Sequence, residues 1–448
     1  MNQEYMKTRK ILPLVLSMSL PMVISMAVNA LYNIVDSYFV AKISEDAMTA
    51  LALVFPMQNL VNAIVIGFAI GINARVAFYL GAKEEKLADE SASVGLLLNL
   101  IHGLVLALLC SVIMPSFLRM FTGDTQVIAL ACTYSTRVFA FAPVIGLGLA
   151  YEKIFQAVGR MKVSMICMML GCVTNIILDP VMIFGLGPVP KLGIAGAAYA
   201  TGIGQCVTLA GYLLFYFARP MHVKVNVANM KTTGSVMKNI YTIGIPATLN
   251  LALPSIQVSA LNAILAPLPG SYILVLGVYY KLQTFIYLTA NGIVQGIRPL
   301  VGYNYGAGSY DRVKRTYWKA FRVAMTVGIV FFLCFQFFPT QLVSIFGTGS
   351  KEYYEFAARY FRIFMFMTFV NGIQPMSSGF FTSIGKAKLG IVVSLTRQVI
   401  SLLPLILIFP IFMGIDGVMY AGPIADAAAG IVAIGFAVKE IRAMDKIA

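Results

Sequence analysis

The chain repeats its own pattern after about 225 residues, and this duplication limits most strongly how it can fold. Leu20-Pro21 returns as Ile245-Pro246, and Gly81-Ala82 returns as Gly306-Ala307. Four further positions recur with matching residue types: Phe155, Gly159, Arg160 and Lys162 return as Phe381, Gly385, Lys386 and Lys388. A hydrophobic chain built from two similar halves is typical of a transporter, in which alternating access rocks one half against the other around a site between them.

Nearly the whole chain is apolar. Of 448 residues, 59% are hydrophobic and only 11% are charged, whereas soluble globular domains carry about 25% charge. Apolar stretches of about 20 residues can cross a bilayer as helices. They predict twelve spans here: 11–40, 47–73, 92–114, 128–151, 164–186, 194–217, 241–265, 272–297, 319–338, 354–382, 389–412 and 417–438. The sequence therefore predicts an all-α integral membrane protein.

The twelve predicted spans divide at the repeat into six and six, which sets the domain organisation. We predict an amino-terminal six-helix lobe over 1–217, a polar cytoplasmic linker over 218–240 and a carboxy-terminal six-helix lobe over 241–448. An even number of spans returns the chain to its starting side, so both halves have the same orientation. The lobes are then expected to be related by a pseudo-two-fold axis along the membrane normal.

The net charge of +15 reports topology and not a nucleic-acid partner. With these spans, nearly all loop lysines and arginines, including Lys153 and Arg298, fall on the side of the two termini. The opposite loops hold only Lys42, Arg119, Lys191 and Lys351. Cytoplasmic loops carry such an excess of basic residues. We therefore predict a membrane protein with both termini cytoplasmic, in contact with membrane lipids and without nucleic acid.

Asp36 is the clearest polar residue inside a predicted span, where an ionisable group is costly and is a functional candidate. Asn29, Asn33 and Asp36 are spaced i, i+4 and i+7, which predicts one polar stripe on the first helix. Asp36 lies about five residues from the outer end of its span, roughly 7–8 Å at 1.5 Å per residue.

Asp179 in the fifth span is the second such residue, and Asn175 lies one turn before it on the same face. It lies about six residues, or roughly 9 Å, from the outer end of its span, a depth similar to that of Asp36. Thr201 in the sixth span shares this level. Pro180 has no N–H, which leaves the carbonyl of Ile176 without its helical partner.

These groups predict a cation site made of Asp36, Asn175, Asp179 and Thr201. Hard cations such as Na⁺ prefer oxygen ligands, and a carboxyl group removed from water close to another can instead carry a proton. We expect Na⁺, if bound, at Asp36, Asn175 and Asp179. The alternative is that both carboxylates only hold helices together through hydrogen bonds.

Several other polar residues fall within predicted spans and are candidates for a substrate cavity. They are Asn33, Lys281, Gln283, Gln374 and Arg397. Lys281 and Arg397 could contact an anionic group or pair inside the protein, and the sequence leaves both alternatives open. Asp426 could carry a proton or pair with a neighbouring polar group, and this too stays open.

The sequence contains no signature of chemical catalysis. It has no phosphate-binding Gly-Lys loop, no Cys/His metal cluster and no Ser-His-Asp arrangement. We therefore expect a protein that is not an enzyme and needs no cofactor. Separately, we expect it to be a monomer. If it transports, the energy has to come from an ion gradient.

Motifs along nearly the whole chain resemble the multidrug and toxic compound extrusion (MATE) family, bacterial type. They are Leu31 to Val40 around Asp36, Gly71 to Lys83, Asn175 to Pro180, Gly193 to Thr201, Tyr280 to Gln283, Gly302 to Ala307, and Gly414 to Asp426. The resemblance implies two six-helix lobes in the bacterial plasma membrane that export organic cations in exchange for Na⁺ or H⁺. It also implies that the coupling ion binds at Asp36, Asn175 and Asp179.

One feature departs from the family pattern. Some members use acidic residues in the seventh and tenth helices, but here spans 241–265 and 354–382 contain only Glu355, at an outer end. The alternative function is a flippase for lipid-linked precursors, which shares the double-lobe plan but should have many cationic residues in its cavity. A membrane enzyme or an ion channel is disfavoured by the repeat and by the missing catalytic groups.

Overall fold

A computed structural model describes residues 4–230, 234–265, 270–344 and 351–446, with side chains described outside 255–282 and 352. Within these ranges the regular structure is entirely helical. Each of the twelve predicted spans coincides with a helix or with a helix that is interrupted. Nine are single helices, here numbered by span: α1 Ile11–Ala41, α2 Glu45–Gly81, α3 Glu85–Arg119, α5 Met161–Phe184, α6 Ile194–Ala218, α7 Gly234–Leu265, α8 Gly270–Gly306, α9 Tyr310–Phe337 and α12 Ile415–Asp445.

The remaining three spans are interrupted. α4 consists of Thr125–Ala140 and Ala142–Ala157, with a 44° bend between them. α10 consists of Lys351–Phe364 and Ile373–Ser383, with a 3₁₀ turn between them. α11 runs from Ala387 to Met413 and contains a stretch of π-helix. Such π-helical turns are frequent at functional sites.

Length and composition identify most of these helices as membrane spans. Among the described residues, eight helices are long and apolar enough to cross a membrane, or nine if the bent α4 is one span. The other three predicted spans are α7 and α8, which border residues 266–269 outside the described part, and the interrupted α10. The protein is therefore an all-α integral membrane protein.

Helices extend beyond several predicted spans, and two basic residues that were predicted to lie in loops are instead buried within helices. Lys153 lies in the second half of α4 and is 3% exposed, and Arg298 lies in α8 and is 6% exposed. The predicted spans end just before a charged residue, at 151 and 297, whereas the helices continue to Ala157 and Gly306. The asymmetry of the remaining basic residues is unaffected.

The chain forms two compact units. Unit 1 is Ile24–Thr248, and unit 2 is Asn2–Val23 together with Leu249–Ala448. Both α1 and α7 are therefore divided, each contributing its first part to one unit and the rest to the other. Each division follows two residues after a proline of the repeat, Pro21 or Pro246.

Each unit has its own apolar core. In unit 1, Tyr134 and Phe139 of α4 pack with Met114 of α3. In unit 2, Phe335 of α9 and Phe361 of α10 belong to a core that also includes residues of α11 and α12. Packing in these cores fixes the positions of the helices that carry the buried polar residues.

The linker is partly packed onto unit 1. Met221 and Val223 are buried, and Asp89 at the start of α3 accepts a hydrogen bond from the backbone N–H of Lys224 (2.7 Å). The Arg160 guanidinium also donates to the carbonyl of Pro220 (2.8 Å). The described part of this polar segment is thus fixed to the helices around it.

Glycines of the repeat allow close helix contacts at equivalent places. A Cβ atom added to Gly71 would lie 2.7 Å from the carbonyl oxygen of Ile240 in α7, within unit 1. A Cβ added to Gly296 would lie 2.5 Å from Ser19 in α1, within unit 2. Small residues at such positions let helix backbones approach in membranes.

Gly71→Leu is expected to lower the yield of folded protein sharply. The new side chain meets backbone atoms of α7, and overpacking of this kind costs about 1–3 kcal/mol or more. Gly435→Leu is the matched control, because nothing lies within 4 Å of a Cβ at that position. Monodisperse yield by fluorescence-detected size exclusion measures the difference. Equal yields for the two variants would contradict the contact.

Candidate functional site

Asp36 lies on the part of α1 that belongs to unit 1, and its side chain is buried with 8% of the residue exposed. Its Oδ1 atom has no hydrogen-bond partner among the described residues. Burying a polar oxygen without a partner is costly, and more so if it is charged. Asp36 is thus a position where a proton or a cation would relieve that cost.

Asn175, Asp179 and Thr201 form a hydrogen-bonded group between α5 and α6. The Nδ2 atom of Asn175 donates to Asp179 Oδ1 (3.4 Å) and to Thr201 Oγ1 (3.3 Å). All three residues are buried. The structure therefore brings together three of the four residues of the predicted cation site.

Two glycines allow α5 and α6 to approach closely enough for these bonds. A Cβ on Gly204 would lie 2.8 Å from the carbonyl oxygen of Gly171 and 3.2 Å from the Cβ of Asn175. A Cβ on Gly171 would in turn lie 2.7 Å from the carbonyl oxygen of Gly204. Larger side chains at either position would push Asn175 away from Thr201.

Asp36 and Asp179 interact electrostatically across the interior of unit 1. Both also interact with Tyr134 of α4, whose hydroxyl is hydrogen-bonded to Gln58 of α2. Tyr32 on α1 interacts with both carboxylates as well. Five helices therefore contribute to one carboxylate cluster, defined here as Tyr32, Asp36, Gln58, Tyr134, Asn175, Asp179 and Thr201.

The carboxylate cluster offers carboxylate, amide and hydroxyl oxygens, which suit a hard cation or a proton. Among the described residues, no three His, Cys, Asp or Glu side chains form a metal-binding group. A cation here would accordingly need the oxygens of Asn175 and Thr201 in addition to the two carboxylates. The donor set fits Na⁺ or H⁺ and does not resemble a transition-metal site.

Asn33 does not join this cluster. Its amide is exposed and donates to the carbonyl oxygen of Asn29 (2.8 Å). At about 100° per residue, Asn33 lies roughly 60° around the helix from Asp36. The polar stripe expected on α1 therefore does not bring Asn33 into the interior together with Asp36.

A second buried polar group lies in unit 2, and it contains two of the candidate residues, Arg397 and Asp426. Arg397 of α11 and Asp426 of α12 form an ion pair (Nε to Oδ1, 2.6 Å), with side chains 3% and 4% exposed. Asn371 is hydrogen-bonded to Asp426, and Tyr287 of α8 to Arg397. Both charged residues thus pair inside the protein.

The other predicted cavity residues of unit 2 fall into separate environments. Gln374 donates to Ser394 Oγ (2.6 Å) and is buried. Gln283 is 4% exposed, and its Nε2 has no partner among the described residues. The side chain of Lys281 lies outside the described residues. Glu355 is exposed and 3.7 Å from Lys351, so α10 offers no buried carboxylate at that position.

Two segments of the chain, 21–181 and 246–407, match the sequence model of the MatE family. Together they cover most of the chain. The chain belongs to the MatE family. This is the multidrug and toxic compound extrusion family that the sequence motifs resemble, and the two matched segments begin at the offset of the internal repeat.

Named relatives of this MATE chain cover nearly its whole length. The multidrug export protein MepA of Staphylococcus aureus (strain NCTC 8325 / PS 47) is 26% identical over 434 residues, 96% of this chain and 94% of MepA. MepA of Staphylococcus haemolyticus (strain JCSC1435) is 24% identical over 442 residues, 98% of this chain and 95% of that protein.

Solved structures of a MOP superfamily transporter and of a MATE protein superpose closely on this chain. A MOP superfamily transporter from Pyrococcus furiosus Vc1 (DSM3638) has a TM-score of 0.92 at 22% identity, covering 99% of this chain and 98% of its own. A MATE structure in complex with MaL6 has the same TM-score at 23% identity, covering 99% of both chains. The likeness confirms the predicted twelve-helix membrane fold.

One buried group of this MATE chain was missed in the sequence. Glu152, Lys153 and Gln156 lie at the end of α4, at most 4% exposed. Lys153 Nζ donates to Glu152 Oε1 (2.7 Å) and to Gln156 Oε1 (3.1 Å), and Gln156 Nε2 donates to Glu152 Oε1 (2.8 Å). Three polar residues within one helical turn of an apolar span were the available signal. The group is internally neutral and fully bonded.

Proposed function

We propose that this protein is a secondary active exporter of organic, mainly cationic, drugs or toxic compounds, driven by antiport of H⁺ or Na⁺. The observation that carries the proposal is the carboxylate cluster of unit 1, with its partnerless Asp36 oxygen, inside a MATE-family fold. The naming of its relatives as multidrug export proteins supports the same activity. A monomer in the plasma membrane is sufficient for this function.

The coupling ion is proposed to bind at Asp36, Asn175, Asp179 and Thr201. Two interacting carboxylates cannot both stay ionised in a buried site without cost, and one proton or one Na⁺ removes their repulsion. Asn175 holds Asp179 and Thr201 in position through its amide. The affinity for the ion therefore differs between a conformation in which this cluster is removed from water and one in which it is hydrated.

This difference is what couples the ion gradient to transport. An ion shifts a conformational equilibrium only by its differential affinity for the two states. The sequence has no nucleotide-binding loop, so no ATP-driven step is available. Ion release on the low-concentration side and binding on the other then drive export of the organic molecule.

The substrate cavity is proposed to include Asn33, Lys281, Gln283, Gln374 and Arg397. Arg397 is neutralised by Asp426 and therefore does not present a free positive charge that would repel an organic cation. The partnerless amide of Gln283 can donate a hydrogen bond to a ligand oxygen. The part of the cavity around Gln283 and Arg397 thus favours neutral or cationic organic molecules.

Efflux of ethidium from proteoliposomes tests the function and the coupling ion together. A pH gradient and a Na⁺ gradient are imposed in separate experiments. We expect one of them to drive ethidium efflux against its concentration gradient, and we expect no efflux when neither is imposed. Dye movement with one ion only identifies the coupling ion. Lipid flipping without gradient-driven efflux would instead support the flippase, and gradient-independent ion leak would indicate a channel.

Both termini and the linker are proposed to face the cytoplasm, because basic residues are concentrated on their side. In a cysteine-free background, His222→Cys in the exposed part of the linker should react with an impermeant maleimide only after cells are permeabilised. Gly123→Cys, in an exposed loop predicted to be outside, should react in intact cells. Labelling of position 222 from outside would overturn the orientation.

A further inference from the structure

Arg298 of α8 is a buried cation that has no negatively charged partner among the described residues. It is 6% exposed, and its Nε has no hydrogen-bond partner among the described residues. No described ion pair includes it. Both buried carboxylates in the described part of unit 2 are already paired, Asp426 with Arg397 and Glu440 with Lys386 (2.6 Å).

The repeat-equivalent position of unit 1 has a buried cation together with a carboxylate that neutralises it. Asn73 corresponds to Arg298 by the repeat, and Lys153 corresponds to Gly379. In unit 1, Asn73 Nδ2 donates to the carbonyl oxygen of Lys153 (2.9 Å), and the Lys153 ammonium is neutralised by Glu152. The cation in unit 1 therefore comes from α4 and has a carboxylate beside it.

In unit 2 the buried cation, Arg298, lies on α8 and not on α10, and no carboxylate among the described residues pairs with it. Gly379 of α10 packs against α8, since a Cβ added there would lie 2.3 Å from Val294, one turn before Arg298. The repeat positions of Glu152 and Gln156 are Ser378 and Thr382, which are neutral. The pair α2 and α4 of unit 1 thus carries an internally neutral group, whereas the equivalent pair α8 and α10 of unit 2 carries an unbalanced positive charge.

An unbalanced guanidinium in a membrane protein needs an anion. Arginine does not lose its proton in proteins, and burying an unpaired charge is far more costly than burying a paired one. Within a membrane span this cost is a reason to expect a functional role. The planar fork of the guanidinium matches a carboxylate and also accommodates a halide.

We propose that Arg298 is the centre of an anion-binding site in unit 2 that takes a small monoanion, either an inorganic halide or a small carboxylate such as acetate, and that excludes a bulky anion such as gluconate. The anion supplies the negative charge that Glu152 provides in unit 1. Occupancy then stabilises unit 2, and the protein's stability depends on which anion is present.

Thermal unfolding of the purified protein at fixed Na⁺ and ionic strength tests this site. The six free cysteines are buried or half-buried, so a thiol-reactive dye reports unfolding. We expect the melting temperature to rise by several degrees when gluconate, which is bulky, is replaced by chloride, bromide or acetate. Arg298→Gln should abolish this shift and should be at least as stable as the wild type in gluconate.

Arg322→Gln is the matched control, because Arg322 is an exposed arginine on α9 of the same unit. It should retain the full anion shift. A shift with halides alone makes the ligand an inorganic anion, and a shift with acetate makes it a carboxylate group. Arg298→Lys, which keeps the charge, should keep part of the shift and decides the question if Arg298→Gln does not fold.

Two results would overturn the site. One is a wild-type melting temperature that is the same in gluconate, chloride, bromide and acetate. The other is an Arg298→Gln variant that keeps the wild-type shift, since the anion would then act elsewhere. Neither result depends on transport activity, so the test is independent of the proposed export function.

Discussion

Asp36→Asn is expected to fold and to bind a lipophilic cation, but to lose gradient-driven efflux. The substitution keeps the size of the side chain and removes the charge that a proton or Na⁺ would neutralise. The remaining Asp179 no longer interacts with a second carboxylate, so ion binding no longer distinguishes the two conformations. Ethidium efflux per folded molecule, with melting temperature measured in parallel, tests this result.

Asp179→Asn should behave like Asp36→Asn, and the double variant should be little worse than either. Residues that act as one unit have strongly non-additive effects on activity. Glu45→Gln is the matched control, since Glu45 is an exposed carboxylate at the start of α2 in the same unit. It should transport like the wild type.

A purely structural role of the two carboxylates predicts the opposite pattern. Both single variants would be less stable, yet each folded molecule would transport normally. Full coupled efflux by Asp36→Asn, with unchanged ion dependence, would end the coupling hypothesis. Efflux normalised to folded protein is therefore the quantity that separates the two alternatives.

Asp426→Asn is expected to destabilise the protein by about 3–5 kcal/mol, because it leaves Arg397 buried without a counter-charge. Arg397→Gln should be similarly severe for the complementary reason. The double variant should recover much of the loss, since replacing both partners removes the unpaired charge. Thermal or chaotrope-induced unfolding of the four proteins gives the coupling free energy through a double-mutant cycle.

The exposed pair of Arg359 and Asp416 is the matched control for that cycle. Its N–O distance is also 2.6 Å, but the side chains are 59% and 32% exposed. Exposed ion pairs contribute about 0–1 kcal/mol, so Asp416→Asn should have a small effect. Equal losses for the buried and the exposed pair would show that burial does not set the cost at Arg397.

The sequence determined the membrane spans, the repeat and four of the seven residues of the carboxylate cluster, Asp36, Asn175, Asp179 and Thr201, whereas Tyr32, Gln58 and Tyr134 were found only in the structure. Span length and hydropathy are properties of continuous segments, and the structure places a helix at each of the twelve predicted spans. Helical spacing put Asn175 beside Asp179, and equal depth in the membrane put Thr201 near them. These relations depend on position along the chain and on helix geometry alone.

Only the tertiary structure decided which charges are paired. Arg397 and Asp426 are 29 residues apart in the chain, and nothing in their local sequence shows that their helices bring them into contact. Hydropathy assigned Lys153 and Arg298 alike to loops, yet packing buries both, and among the described residues only Lys153 has a carboxylate partner, the neighbouring Glu152. Pairing depends on which helix faces meet, and that is fixed by side-chain packing across distant parts of the chain.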